Sequence, residues 1–396
     1  MTSASLRVLC LDIEGGHGGS SRSLFESVRY LDRDQVQAEV WCRRPGPVQA
    51  DYGGLGIPCR LVPEMPKVSS LPRLSRNLLV YAGFTRDFLR AGAFRRSLAR
   101  EVDARFDRVH FNHEALFLLA RWLRPRTGVP LTMHIRTKVP DTPFARWQTR
   151  TISRALDHLV FITENEEEHH RALGGTAPGT VIYNAITLPD GRVSPHPAVP
   201  DDRRFKIASL SNYSWLRGTD RLVDVAETLA VLGRRDFLFV AAGEMSLSRS
   251  LPGALGKIGR RGGSLKEYVD SRGVGDMFLF LGHVSEPERV LSGCDALAKL
   301  TREDNPWGRD ILEAFASGKP VLSVGKWARF VETGKTGILQ RRFNAHALAR
   351  ELVELADDRE RCAAMGATGR ERVRRLCNGP DRAAELFAVW ENVRRR

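Results

Sequence analysis

Arg302-Glu-Asp-Asn-Pro-Trp-Gly-Arg-Asp-Ile-Leu-Glu-Ala-Phe-Ala-Ser-Gly-Lys-Pro-Val321 is the stretch on which the fold of this chain turns. Pro306 and Gly308 punctuate a turn, and the residues after Gly308 carry a helical pattern to about Ser317. The N–H groups that open such a helix have no partners within it, so Gly308, Arg309, Asp310 and Ile311 offer backbone donors to phosphate oxygens. Glu313 follows Arg309 by four residues, on the same helix face. A carboxylate there can accept two hydroxyl protons, as a ribose diol requires. Gly318 and Pro320 end the helix and start a buried strand at Val321. Read alone, the stretch is better taken as an ordinary helix with a surface Arg309–Glu313 ion pair.

Outward from it, short apolar runs alternate with longer helical patterns, the grammar of βα units around parallel sheets. Strands are expected near Arg7–Ile13, Ala38–Cys42, Arg60–Val62, Arg108–Phe111, Leu131–Ile135, Leu159–Ile162 and Val181–Tyr183. The same grammar restarts at Lys206–Leu210, Phe237–Ala241, Phe278–Leu281, Ala296–Leu300 and Val321–Val324. Between them, Asp190 to Asp202 carries three prolines and a glycine, which suit a joint and neither helix nor central strand. The expectation is therefore an α/β chain of two Rossmann-like domains facing each other across a cleft. Residues 1–190 form the first, completed by a C-terminal helix at 380–396. Residues 191–203 form the linker and 204–379 the second domain.

The 396 residues suit two domains, and 42% hydrophobic with 27% charged residues suits a globular chain. No apolar run reaches the roughly 18 residues of a membrane span, and Met1–Asp12 reads as a buried strand, not a secretory signal. Cys10, Cys42, Cys59, Cys294, Cys362 and Cys377 lack C-x-x-C spacing, so reduced thiols in the cytoplasm are expected and a zinc site is not. The net charge of +14 points to an anionic partner. Half of it lies between Lys67 and Arg100, where eight basic residues face one acid, Asp87. Leu74, Leu78, Tyr81, Phe84 and Phe88 in that window have helical spacing. An amphipathic helix on an anionic membrane surface fits, and so does a domain helix with its arginines in solvent. No basic strand interleaved with aromatics favours nucleic acid.

Glu14-Gly-Gly-His-Gly-Gly-Ser-Ser21 follows the first strand, and Gly18, Gly19 and Ser20 are candidates for an acceptor or phosphate loop. Gly16 and Gly18 begin a G-x-G, but Ser21 holds the third glycine position and no acid ends the second strand. Arg43 and Arg44 keep an NADP-binding reading open there. Glu164–Glu168 followed by His169-His170 invites a metal, yet Thr163 can cap a helix whose first turn is acidic, and adjacent histidines do not share a face. His113 and Glu114 sit at a strand end where they could touch acceptor.

The opening stretch resembles the donor-binding signature of family 4 of the retaining glycosyltransferases, two glutamates separated by seven residues. Trp307-Gly308 stands for its aromatic-glycine pair, Glu313 for the second glutamate, and Gly318, Pro320 and Val321 for its tail. Asn305 occupies the first glutamate's place, with Glu303 and Asp304 close by. Ser214-Trp-Leu-Arg-Gly-Thr-Asp-Arg-Leu222 is similar to the family's Lys-Gly segment, so Arg217 stands for the diphosphate-binding lysine. The family's arginine one turn earlier is replaced by Ser211-Asn-Tyr213, a loss that Arg309 could offset. Gly243 and Glu244 resemble the turn after the second strand of that domain, and His283 and Val284 the strand end that reads the base. Val181-Ile-Tyr-Asn184 resembles the hinge stretch, and His134 the histidine facing the donor sugar.

The resemblance implies a GT-B enzyme moving a sugar from a nucleotide-diphosphate donor with retention and without a metal or other cofactor. His134, Arg217 and Glu313 would be its central residues. The implied acceptor is a cell-surface glycan or lipid-linked molecule, with the protein peripheral on the inner leaflet and nucleic acid not a partner. A nucleotide-sugar epimerase or hydrolase of the same fold, or a soluble natural-product glycosyltransferase, stays as the alternative.

Overall fold

The computed structural model describes residues 5–16, 18–68, 78–189 and 191–395. Two compact units emerge, Met1–Ala185 together with Cys377–Arg396, and Ile186–Leu376. The first unit therefore stops short of Asp190. The proline-rich segment 191–203 is not a free joint but packs on the second unit. His196 N–H donates to the Arg289 carbonyl at 2.9 Å. The Arg289 guanidinium in turn donates to the Ser194 and Pro195 carbonyls. Chain that cannot pair in a ladder satisfies its backbone on one arginine instead.

The first unit holds seven parallel strands, β1 (Leu6–Asp12), β2 (Val36–Cys42), β3 (Cys59–Leu61), β4 (Arg108–Phe111), β5 (Leu131–Ile135), β6 (His158–Phe161) and β7 (Gly179–Val181). Their order is β3-β2-β1-β4-β5-β6-β7. Period-two alternation sends Leu9 and Leu11 of β1 into one core with Trp41, Phe111 and Phe117. Val8 and Cys10 enter a second core on the other face, with Leu24, Val40 and Trp390. Trp390 comes from the last helix, Gly379–Asn392, which is capped by the Asn378 side chain. It is fully buried, so the chain's end completes the first sheet's cover.

The second unit holds β8 (Phe205–Leu210), β9 (Phe237–Ala242), β10 (Phe278–Gly282), β11 (Ala296–Lys299), β12 (Val321–Val324) and β13 (Gly337–Gln340). They are ordered β10-β9-β8-β11-β12-β13. Strand β13 is absent from the sequence reading. It has four residues, starts on glycine and pairs only with β12, so its hydrophobic signal is short. In both sheets the order reverses beside the first strand, between β1 and β4 and between β8 and β11. Ligands of open α/β sheets bind outside the carboxyl ends at such points.

Of the basic window, Leu74, Arg73 and Arg76 lie outside the described residues. Lys67 lies in irregular chain, and from Leu78 on the window forms two helices, Leu78–Arg90 and Gly92–Arg105, not one. Phe84 packs toward the core, and the Arg95 guanidinium lies 4.0 Å over Phe88 and 5.0 Å over Trp122. Leu89 is 67% exposed between Arg86 and Arg90. Among the described residues no helix is long and apolar enough to cross a membrane.

Candidate active site

At the switch point of the second unit, the loop after β8 turns through Trp215–Arg217 to Gly218, whose φ of 72° is left-handed. A Cβ there would collide with the Leu300 carbonyl, so only glycine lets this loop approach β11. The Leu216 carbonyl accepts from Arg302 N–H at 2.7 Å and Thr301 Oγ1 at 3.0 Å. Arg302 donates to both Asp220 oxygens, at 2.9 and 2.6 Å, and stacks on the Trp215 ring. The loop is thereby pinned from below. Arg217 is left exposed on it, with no ion pair or hydrogen bond to its guanidinium among the described residues.

The decisive stretch follows β11. Gly308 caps a helix over Arg309–Ala316 with φ 127°, and a Cβ on it would meet Lys299 Nζ at 2.7 Å. Lys299 Nζ donates to the Trp307 carbonyl and, at 3.1 Å, to Asp310 Oδ1. Asp310 also accepts the Ile311 N–H at 3.0 Å, so that first-turn donor is already taken. Ile311 itself is fully buried and contributes core, not a ligand contact. Arg309 Nε donates to Glu313 Oε1 at 3.1 Å, with the two side chains only 9% and 10% exposed. The pair expected at the surface is thus buried, and Arg309 is held by Glu313 instead of standing open for a diphosphate. Asn305 Oδ1 is buried without a partner. Asp304 is turned away from that role, since its Oδ1 accepts the Lys326 N–H at 2.7 Å.

The neighbouring loops close around the same end. Gly243, at φ 137°, lies against the Ser211 carbonyl and donates its N–H to Gly282 O at 2.6 Å. Glu244 N–H donates to Asn212 Oδ1 at 2.8 Å, leaving its exposed carboxylate to Ser246 Oγ. His283 is exposed and Val284 half-buried just beyond.

At the switch point of the first unit, β1 ends in Asp12, which accepts from Ser21 Oγ and, at 2.9 Å, from Asn112 Nδ2. Burial pushes its carboxyl above the ordinary range despite these bonds. Arg136 donates to Asn112 O at 2.7 Å, Asn112 Oδ1 at 2.6 Å and Asn184 Oδ1 at 2.9 Å. Glu114 Oε2 accepts the Arg136 N–H at 3.0 Å, and His113 Nδ1 accepts the Ala115 N–H at 3.0 Å. Both residues expected to meet an acceptor therefore hold the strand ends together. Gly18 precedes the helix Gly19–Val28, and a Cβ on it would collide with the Glu14 carboxylate. Ser20 gives its carbonyl to Asn112. His17 lies outside the described residues.

His134, on β5, is 4% exposed, and its Nδ1 lies 2.7 Å from His110 Nε2. His110 Nδ1 lies 2.8 Å from Thr132 Oγ1 and 3.3 Å from Trp390 Nε1. Burial lowers the His110 pKa to about 3 and holds His134 well below 6.5, with the Arg136 charge acting the same way on both. Both rings are neutral at pH 7.

Residues 18–185 match the glycosyl transferase 4-like domain, and residues 195–372 match glycosyl transferases group 1. The chain belongs to the group 1 glycosyltransferases. Its fold is GT-B, two parallel-stranded Rossmann-like sheets. HepE from Anabaena, solved with UDP-glucose, is similar at TM-score 0.76 and 18% identity, over 97% of this chain and 99% of that one. Sucrose-phosphate synthase from Thermosynechococcus elongatus is similar at TM-score 0.73 and 17% identity, over 98% of each chain. No curated protein matches by sequence.

Within this glycosyltransferase, the signature resemblance missed Lys299, Arg302 and His110. A signal for each was present. Lys299 ends a strand otherwise apolar, His110 sits between Val109 and Phe111 in another, and Arg302 opens the decisive stretch. Arg43, on which an NADP reading relied, spends its Nε on the Met65 carbonyl at 2.8 Å. At the His169-His170 run, Thr163 caps the helix by accepting from Asn165 N–H at 3.1 Å, and His169 Nε2 bonds to the Val139 carbonyl.

Proposed function

We propose that this glycosyltransferase moves a sugar from a nucleoside-diphosphate donor to an acceptor hydroxyl with retention of anomeric configuration. Arg217 carries the reading. An exposed guanidinium without a protein partner, on a loop pinned beside the glycine-capped helix, suits a diphosphate that leaves with growing negative charge. Glu313 receives the ribose diol through Oε2 while Arg309 fixes Oε1. Asn305, with an unpartnered oxygen, accepts a hydroxyl of the transferred sugar, and His134 contributes a further hydrogen bond to it. Gly243, Glu244, His283 and Val284 form the rim that meets the base. No metal or other cofactor enters this scheme, because cationic side chains and backbone N–H groups neutralise the leaving group. That HepE was solved with UDP and with UDP-glucose supports a uridine nucleotide as the first donor to try.

The first unit takes the acceptor, a glycan or lipid-linked molecule of the cell surface, and the basic helices Leu78–Arg90 and Gly92–Arg105 draw it to the anionic inner leaflet of a membrane. Leu89 between Arg86 and Arg90 supports this orientation. The test is to supply UDP-glucose with candidate acceptors and read the product's anomeric configuration by NMR. An α-linked product from the α-configured donor is expected. A β-linked product contradicts retention, and donor consumption that ignores every acceptor favours a hydrolase.

A further inference from the structure

We propose that Trp390 and His110 are positioning residues that hold His134 as the neutral tautomer protonated on Nε2, a committed hydrogen-bond donor. The proposal rests on the reading that His134 serves the transferred sugar, and it adds what fixes the direction of that bond. It follows from three nitrogens and one rule about protons.

An indole Nε1–H can only donate. Trp390 Nε1 lies 3.3 Å from His110 Nδ1, so that nitrogen presents its lone pair. Thr132 Oγ1 lies 2.8 Å from the same nitrogen and 3.3 Å from the Val109 carbonyl; against a bare Nδ1 its single proton goes to the nitrogen, the shorter of the two contacts. A neutral His110 with a bare Nδ1 carries its proton on Nε2. That Nε2–H faces His134 Nδ1 at 2.7 Å, and only one proton fits between the two nitrogens. His134 Nδ1 therefore accepts, and a neutral His134 keeps its proton on Nε2. The two rings stand perpendicular, at 89°, and His110 also meets the Trp390 ring edge at 5.4 Å. Burial disfavours protonation of either ring, which removes the doubly protonated form in which the relay would lose its direction.

The last helix of the chain thus sets the polarity of a residue on β5. Without the indole donor, His110 Nδ1 is free to take the proton and give it to Thr132. Its Nε2 then becomes an acceptor, the shared proton moves to His134 Nδ1, and His134 Nε2 turns from donor to acceptor.

The experiment is long-range 1H–15N NMR at pH 7 on the full chain labelled at histidine. Wild type should show His134 with a bare Nδ1 and a protonated Nε2, and Trp390→Phe should show the inverted or a mixed state. His110→Gln and His110→Leu serve as a second pair, because an amide can still donate to His134 Nδ1 and an alkyl group cannot. The Gln variant should keep the wild-type His134 tautomer and the Leu variant lose it. A wild-type His134 protonated on Nδ1 overturns the proposal, and so does a tautomer unchanged in both Trp390→Phe and His110→Leu. UDP-glucose turnover should fall about tenfold in kcat for His110→Leu, with KM little changed and recovery in His110→Gln. His134→Ala separates the two claims. Wild-type turnover in that variant removes His134 from the sugar site, while the NMR result on the tautomer stands by itself.

Discussion

Glu313 serves the fold and the site at once, which decides how it should be tested. Alanine at this position takes the Glu313 carboxylate away from a buried guanidinium, a loss that costs up to roughly 3–5 kcal/mol. Glutamine keeps a hydrogen bond to Arg309 and removes the charge from the ribose contact. Glu313→Gln should therefore weaken nucleotide binding by about 1.5–3 kcal/mol with a small change in melting temperature. Equal affinity by calorimetry would return the pair to a purely structural role. Arg217 is the opposite case. It is exposed and makes no side-chain hydrogen bond or ion pair among the described residues, so Arg217→Ala should leave thermal stability within about 0.5 kcal/mol of wild type while lowering turnover. Full turnover at saturating donor would assign the diphosphate to another cation. The buried histidines add a pH signature. Both native pKa values lie below the unfolded one, so the stabilisation is present above about pH 6.5 and is lost as pH falls, for His110 toward about 3. His110 contributes a slope of roughly 1.4 kcal/mol per pH unit in that window. His110→Gln should flatten urea-measured stability against pH by about one such slope, and an unchanged slope would mean that His110 is protonated in the native state.

Elements with strong, regular signals were legible, and those set by long-range contacts were not. Strands β4, β5 and β12 have the bounds their apolar runs predict, while β13 was too short and too far from the pattern to see. The helix after Gly308 was readable because proline, glycine and the i,i+4 pair all agree on its start. Its burial was not, because an i,i+4 ion pair reads the same in sequence on a covered face as on an open one. Distance along the chain hid Lys299, whose partners Trp307 and Asp310 lie eight and eleven residues on. Gly308 gives this element a sharp test. At φ 127°, with Lys299 Nζ where a Cβ would go, Gly308→Ala should destabilise the second unit by roughly 1–3 kcal/mol and weaken nucleotide binding together. A neutral substitution would show that the turn relaxes freely. The basic helices make a separate prediction. Vesicles containing anionic lipid should bind the protein at low salt and release it at high salt, since each basic residue near such a surface contributes about 1 kcal/mol. Binding that ignores lipid charge would leave those arginines as a solvated face.

At the scale of the whole molecule, the chain crosses from one unit to the other after Ala185 and returns after Leu376. The return has a structural price, a fully buried Trp390 on the last helix, and Trp390→Ala should destabilise the first unit by roughly 3–5 kcal/mol. Two repeats of one strand order place two switch points in the molecule. Asp12, Asn112 and Arg136 knit the first, and the Arg217 loop meets the Arg302 stretch at the second. At the second, an exposed Arg217 without a hydrogen-bond or ion-pair partner among the described residues stands beside a glycine-capped helix, and the donor reading stands on that arrangement. Calorimetric titration of the full chain with UDP, GDP and ADP, repeated on Arg217→Ala and Glu313→Gln, tests it most directly. One of the three nucleotides should bind wild type, and both variants should bind it at least about tenfold more weakly. Affinity unchanged in both variants, or no binding of any nucleoside diphosphate, would contradict it.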